Sequence, residues 1–253
     1  MSLKENKYDD KHFFEQYSQM PRSKEGLKAA GEWHELKKML PDFNQKTVLD
    51  LGCGFGWHCI YAAEHGAKKV LGIDLSERML TEAKRKTTSP VVCYEQKAIE
   101  DIAIEPDAYN VVLSSLALHY IASFDDICKK VYINLKSSGS FIFSVEHPVF
   151  TADGRQDWYT DETGNKLHWP VDRYFNESMR TSHFLGEDVQ KYHRTVTTYI
   201  QTLLKNGFQI NSVIEPEPAP ELKDLPEMQD EYRRPMMLLI SATKQEGHHH
   251  HHH

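Results

Sequence analysis

Apolar residues occur in two rhythms along this chain, short unbroken runs and longer segments in which they recur every three or four positions. The alternation of the two is the signature of a parallel sheet with helices on both faces. The runs predict strands at Lys46–Leu51, Lys69–Asp74, Val91–Gln96, Tyr109–Ser115 and Gly139–Glu146. Helical spacing predicts helices over Trp57–His65, Ser76–Lys86 and Phe124–Leu135, with Ser76 and Ser123 placed to cap the second and third. A helix over Tyr192–Asn206, ended by Gly207, leads into two further strands at Phe208–Glu215 and Met236–Lys244. No crossover helix joins these two, so they pair antiparallel or lie apart. The pattern predicts a mostly parallel α/β sheet with one reversed strand near its edge.

Two segments break the rhythm. In residues 1–45 helical spacing is interrupted by Pro21 and Gly26, which predicts two short helices joined by a bend, placed to lie across the crevice at the strand ends. Residues 147–191 are rich in aromatic and turn residues, and Glu162–Leu167 offers a hairpin turn, so a small antiparallel insertion is expected there. Residues 46–146 and 192–244 then form the core. Residues 245–253 end in a hexahistidine that reads as a tag and, with the opening Met-Ser-Leu, is set aside.

Composition narrows the function. The chain has 253 residues, 40% hydrophobic and 26% charged, ordinary for one α/β core. Its net charge is −7, with the acidic excess densest from Glu215 to Glu231, where Lys223 is the single cation. Such a surface repels phosphate backbones, so no nucleic-acid partner is expected. With no signal peptide and no apolar run of spanning length, the expectation is a cytoplasmic protein with no membrane partner. Cys53, Cys59, Cys93 and Cys128 form no zinc-type spacing, so reduced, mostly buried thiols and no metal site are expected.

The chemistry concentrates in TVLDLGCGFGWHC, from Thr47 to Cys59. Gly52, Gly54 and Gly56 stand where the first strand hands over to a helix, the place where open α/β sheets bind ligands. In the dinucleotide pattern the third glycine would occupy the position of Trp57, and an indole there obstructs close helix packing. A phosphate-gripping loop is excluded because no Gly-Lys-Ser/Thr follows. Asp74, ending the second strand, is placed to accept hydrogen bonds from ribose hydroxyls, or else to cap the following helix. A nucleoside ligand fits better than a nicotinamide dinucleotide, the cofactor of an oxidoreductase.

VLDLGCGFG, VLGIDLS, AIED (Ala98–Asp101), YNVVLSSLALHYI and LKSSGSFIFSVEHP, in that order, resemble the motif series of class I S-adenosylmethionine-dependent methyltransferases over Lys46–Pro148. The resemblance implies a Rossmann-like seven-stranded sheet with an antiparallel last strand, S-adenosyl-L-methionine as cofactor and S-adenosyl-L-homocysteine as product. It implies methyl transfer by direct in-line displacement, here to a small-molecule acceptor because the insertion promises an enclosed pocket; a non-catalytic cofactor-binding module is the alternative. By the same resemblance, residues 46–146 bind the cofactor, 1–45 act as a lid and 147–191 face the substrate.

Carried onto this chain, Gly52, Gly54 and Gly56 lie beneath the methionine and ribose, Asp74 takes the ribose hydroxyls and Leu75 meets the adenine. Ala98, Ile99 and Glu100 flank the base, Ser114 and Leu116 face the methionine end, and Asp50 orients the loop or meets the amino group. Tyr17 and Arg22 reach the cofactor from the lid, Arg22 toward the methionine carboxylate. His119 and His147, just past the fourth and fifth strands, are the candidate bases. Trp158, Tyr159, His168, Trp169, Arg173 and Tyr174 are candidate substrate contacts, whereas His183 and His193 read as surface or capping residues.

Overall fold

Four of the five residues of strand β1 (Thr47–Leu51) are buried, as a strand covered on both faces requires. The computed structural model describes residues 11–18 and 20–245. Ahead of β1 come helices α1 (Lys11–Ser18), α2 (Pro21–Glu25) and α3 (Trp33–Met39). After it, α4 (Trp57–Glu64), β2 (Lys69–Asp74), α5 (Glu77–Lys86), β3 (Val92–Gln96), β4 (Tyr109–Ser115), α6 (Phe124–Asn134) and β5 (Leu135–Glu146) build the regular part. A short α7 (Pro148–Thr151) opens the insertion, which holds β6 (Tyr159–Thr160), β7 (Lys166–His168), β8 (Met179–Phe184) and β9 (Glu187–Tyr192). Helix α8 (Val196–Lys205), β10 (Phe208–Ile214) and β11 (Met237–Lys244) return to the core.

The seven core strands run β3-β2-β1-β4-β5-β11-β10. All neighbours from β3 to β5 are parallel, and β11 lies antiparallel between β5 and β10, pairing Ile240 with Phe143 on one side and Val213 on the other. Alternation along the strands divides the core in two. Leu49, Leu51, Phe141 and Phe143 pack with Phe124, Ile127 and Val131 of α6 and Tyr199 and Leu203 of α8. Val48, Val70, Val111 and Leu113 pack with Leu36 of α3, Cys59 and Ala62 of α4 and Leu80 of α5. Each such aliphatic or aromatic side chain contributes about 1.5–3 kcal/mol by leaving water. Ser76 and Ser123 do cap α5 and α6, accepting the N–H of Met79 and Asp126.

Two boundaries differ from expectation. Strand β5 begins at Leu135, not Gly139, because Leu135 pairs with Tyr109 ahead of a register shift that brings Val111 opposite Ser140. Helix α8 begins at Val196, not Tyr192, because Tyr192 pairs with Met179 in the β8-β9 hairpin and Thr195 caps the helix. The insertion thus holds two hairpins, β6-β7 and β8-β9, rather than one. His193 is a correction: it is buried, not at the surface, with Nε2 donating to the Tyr174 carbonyl at 2.7 Å and Nδ1 lying 2.7 Å from Thr151 Oγ1. The thiols of Cys53, Cys59 and Cys128 are buried and that of Cys93 is exposed. Among the described residues no helix is long and apolar enough to cross a membrane.

Candidate functional site

The glycine loop hangs from β2, with the N–H groups of Gly52 and Cys53 donating to the Ile73 carbonyl at 2.9 and 2.8 Å. The three glycines serve different ends. Gly52 (φ 77°) has no room for a side chain, since a Cβ would come within 2.7 Å of Ala117 Cβ in the turn after β4. At Gly56 (φ 80°) a Cβ would lie 2.3 Å from Tyr94 Oη. Gly54 is left-handed too, and an added Cβ would press on Met79 Cε at 3.3 Å, a closer approach than side chains ordinarily make but one that the end of a flexible methionine can yield to. Trp57 opens α4, and its indole packs against Gly26 and under the Lys86 ammonium, 4.2 Å from the ring centre.

Asp74 accepts the Gly54 N–H at 2.8 Å and the Ser76 N–H at 2.9 Å, so one carboxylate organises both the loop and the start of α5. Asp50 is 1% exposed, beside Cys59 Sγ at 3.4 Å. Burial raises its carboxyl to about 7, the Cys59 thiol opposes this, and the nearby Asp74 charge adds to it. Ser114 Oγ donates to the Leu51 carbonyl at 2.8 Å, tying β4 to β1 beneath the loop. Leu116 takes a left-handed φ of 51°, a conformation uncommon for leucine, and its N–H donates to the Ser144 carbonyl. Buried Ala98 and Ile99, half-buried Glu100 after β3 and half-buried Leu75 after β2 complete the rim. These residues converge at the carboxyl ends of β3, β2, β1 and β4, where the strand order reverses.

In the N-terminal segment, Arg22 pairs with the buried carboxylate of Glu32, and Phe14 packs edge-on to Phe55 at 5.9 Å. The side chain of Tyr17 lies outside the described residues.

A stability consequence follows for Asp50. The folded protein keeps a proton that the unfolded chain releases near pH 3.8, so stability falls as pH rises from about 4 through 7. A shift of this size is worth about 4 kcal/mol above pH 7. Asp50→Asn is expected to remove that decline and to unfold at higher urea than the parent at pH 8, with the gap closing by pH 4. Parallel urea midpoints across that range are the check.

Beyond β4 and β5 lies a buried polar cluster. Lys191 Nζ donates to Glu146 at 2.8–2.9 Å and to Gln156 Oε1 at 2.8 Å, and Gln156 Nε2 donates to Glu146 Oε1 at 2.8 Å. Burial alone would raise the Glu146 carboxyl, but His119, Lys191 and Gln156 outweigh it and hold the group below its ordinary value. His119 is 1% exposed and its Nδ1 accepts the Glu146 backbone N–H at 3.3 Å. Burial lowers its pKa to about 4. His147 is engaged at both nitrogens: Nδ1 accepts the Val149 N–H at 3.0 Å, capping α7, and Nε2 donates to Glu215 at 2.5 Å. Lys191, Gln156 and Arg194 escaped the sequence reading. Lys191 carried a signal, since it shares the inward face of β9 with Val189.

In the insertion, Trp158 and Tyr159 line a cavity of about 530 Å³ with Arg155, Thr160, Ser182 and His183. His168 stacks on Tyr159 at 5.0 Å. Trp169 stacks on Phe150 at 5.0 Å, with the Arg234 guanidinium 4.3 Å from its ring. Arg173 donates to the Asp153 carbonyl at 3.2 Å, and Tyr174 Oη accepts the Val196 N–H at 3.1 Å. The structure therefore sets Trp158 and Tyr159 at a cavity, while Trp169, Arg173 and Tyr174 brace the insertion. No cluster of metal-ligating side chains occurs among the described residues.

A family model described as a methyltransferase domain matches residues 48–139. The crystal structure of a candidate S-adenosylmethionine-dependent methyltransferase from Listeria monocytogenes is 97% identical, with a TM-score of 0.81 over 86% of this chain and all of that one. An S-adenosylmethionine-dependent methyltransferase from Mesorhizobium loti is 40% identical, again at 0.81, over 87% of this chain and all of that one. A protein of Haemophilus influenzae is 33% identical over 92% of this chain and 93% of its own length. More distant relatives name different acceptors. A malonyl-[acyl-carrier protein] O-methyltransferase of Enterobacter lignolyticus is 32% identical over 49% of this chain and 48% of that protein. A tRNA U34 carboxymethyltransferase of Hahella chejuensis is 27% identical over 62% of this chain and 45% of that protein.

Proposed function

Because this chain belongs to the S-adenosylmethionine-dependent methyltransferases, we propose that it methylates a small-molecule acceptor by direct in-line displacement at the carboxyl ends of β1 and β4. The residues fit the cofactor. Gly54 offers backbone with no side chain of its own, Asp74 ends β2 beside it, and the buried Asp50 carboxyl is suited to an ammonium, which would draw off its proton. When bound, the cofactor supplies a methyl activated by its sulfonium. Gly52, Gly54, Gly56, Asp50 and Asp74 would hold it, Leu75, Ala98, Ile99 and Glu100 would flank the base, and Ser114 and Leu116 would border the methionine end. Alignment of acceptor and methyl in a dry site supplies about 7–11 kcal/mol of such a barrier.

The observation that supports the small-molecule reading is the way the acidic segment folds back onto the insertion. The acidic segment is latched onto the insertion through Glu215 with His147, Asp230 with Lys166 at 2.8 Å, and Arg233 over Trp158 at 4.4 Å. An insertion closed off in this way suits a small ligand better than a folded RNA or protein, and a cytoplasmic setting goes with it. Calorimetric titration with S-adenosylhomocysteine beside NAD and NADP is expected to give saturable binding of the first alone. Labelled methyl transfer should then reach low-molecular-weight acceptors and spare bulk tRNA and protein. Binding of a nicotinamide cofactor only, or label confined to tRNA or protein, overturns the proposal.

A further inference from the structure

The turn after β4 offers a hydrogen-bond donor in positively charged surroundings. A neutral histidine that accepts at one ring nitrogen carries its proton on the other, so His119, accepting the Glu146 N–H at Nδ1, presents Nε2–H. Among the described residues the hydrogen bond to this ring is at Nδ1. Three ionised side chains act on the ring: the cations Lys191 and Arg194 and the anion Glu146. Glu146 is taken up by Lys191 and Gln156. Arg194, 7% exposed, donates to the carbonyls of Leu118 and Ile121, which flank His119, and sits 5.7–6.0 Å from the rings of Phe124, Tyr192 and Tyr199. It pairs with no carboxylate among the described residues, so one positive charge is left over beside the donor.

Resting on the methyl-transfer reading above, we infer that the reacting group of the acceptor is a carboxylate, held through one oxygen by His119 Nε2–H, and that the product is a methyl ester. An ammonium acceptor would be repelled by the surplus charge and would first have to lose a proton. A hydroxyl would need a base, and His119 is fixed as a donor while both nitrogens of His147 are engaged. A carboxylate is already ionised at neutral pH. Its second oxygen takes the methyl: the C–O bond forms as the C–S bond breaks, the sulfonium becomes a neutral thioether, the carboxylate becomes a neutral ester, and no proton moves. His119 on this account positions and does not deprotonate.

The test uses the full chain saturated with S-adenosylhomocysteine. Loss at that first step, with no S-adenosylhomocysteine bound, overturns the methyl-transfer reading and this inference together. With it bound, benzoate, phenylacetate, hexanoate and malonate are titrated against their amides and the corresponding amines. At least one acid should bind ten times more tightly than its amide, and His119→Phe should lower that affinity about tenfold with S-adenosylhomocysteine affinity unchanged. His119→Gln, which keeps a donor and an acceptor, should restore most of it. No acid bound, an amide or amine bound as tightly as its acid, or equal affinity in His119→Phe overturns the inference while leaving methyl transfer standing. Labelled product should release volatile methanol in mild base; label stable to base overturns it as well.

Discussion

Asp74→Ala is expected to weaken S-adenosylhomocysteine binding by about 10²–10⁴. Two charge-assisted hydrogen bonds to ribose hydroxyls, as proposed for this carboxylate, would at about 1.5–3 kcal/mol each account for that range. The variant loses something further, because the same carboxylate accepts the Gly54 and Ser76 N–H groups at 2.8 and 2.9 Å and so holds the loop in shape. Asp74→Asn separates the two roles. It keeps an oxygen for one N–H but gives up the charge, so it should fall between the parent and Asp74→Ala. Calorimetry gives the affinities and circular dichroism confirms the fold; an unchanged affinity in a folded Asp74→Ala would remove Asp74 from the cofactor site.

Arg180→Ala is expected to lower the thermal midpoint by about 10 °C. Arg180 is 3% exposed and gathers the insertion around itself. Its Nε donates to the Ala152 carbonyl at 2.8 Å, Nη1 to Ser178 Oγ at 2.7 Å, and Nη2 to the carbonyls of Arg173 and Asn176 at 2.9 and 2.8 Å. Each carbonyl stranded without a donor costs about 1–3 kcal/mol, partly recovered as water enters, for a net loss of about 3–5 kcal/mol. In a domain of this size about 2–4 °C accompanies each kcal/mol. Lysine should recover less than half, since a single ammonium cannot span three carbonyls lying in different directions. Hydrogen exchange should speed up first between residues 152 and 193. A midpoint within about 2 °C of the parent would show that the insertion is held by other contacts.

The centre of the core was legible in the sequence because its strands there obey a simple rule. The runs ending at Leu51, Asp74 and Ser115 are buried on both faces and begin or end within a residue of where their apolar pattern does. The insertion was less legible because its order comes from polar groups that meet across long sequence distances. The β8-β9 hairpin turns at Leu185 and Gly186, both with positive φ, and a leucine in that conformation carries no turn signal. Lys191 finds Glu146 only once β9 is folded against the end of β5. His147 showed the limit of reading a site from position: it stands at a strand end, as a base would, yet its ring is occupied in capping α7 and fastening Glu215. At the glycine loop the positions were legible, but the reasons were mixed, since Gly52 and Gly56 answer to Ala117 and Tyr94 rather than to open space.

The position of β11 between β5 and β10 has a consequence for how the protein is made. Chains emerge from the ribosome amino end first, and segments begin to fold as they appear. Strand β5, with Phe141, Phe143 and Val145, is complete while residues 147–236 are still being added, and the strand that pairs with its open side comes after all of them. For that interval the nascent protein carries an apolar strand with an unpaired backbone edge, the kind of surface on which neighbouring chains join. Slow synthesis past β10 would bear on the yield of this protein more than on its final stability, and a chain interrupted before Met237 would keep that edge of β5 unpaired.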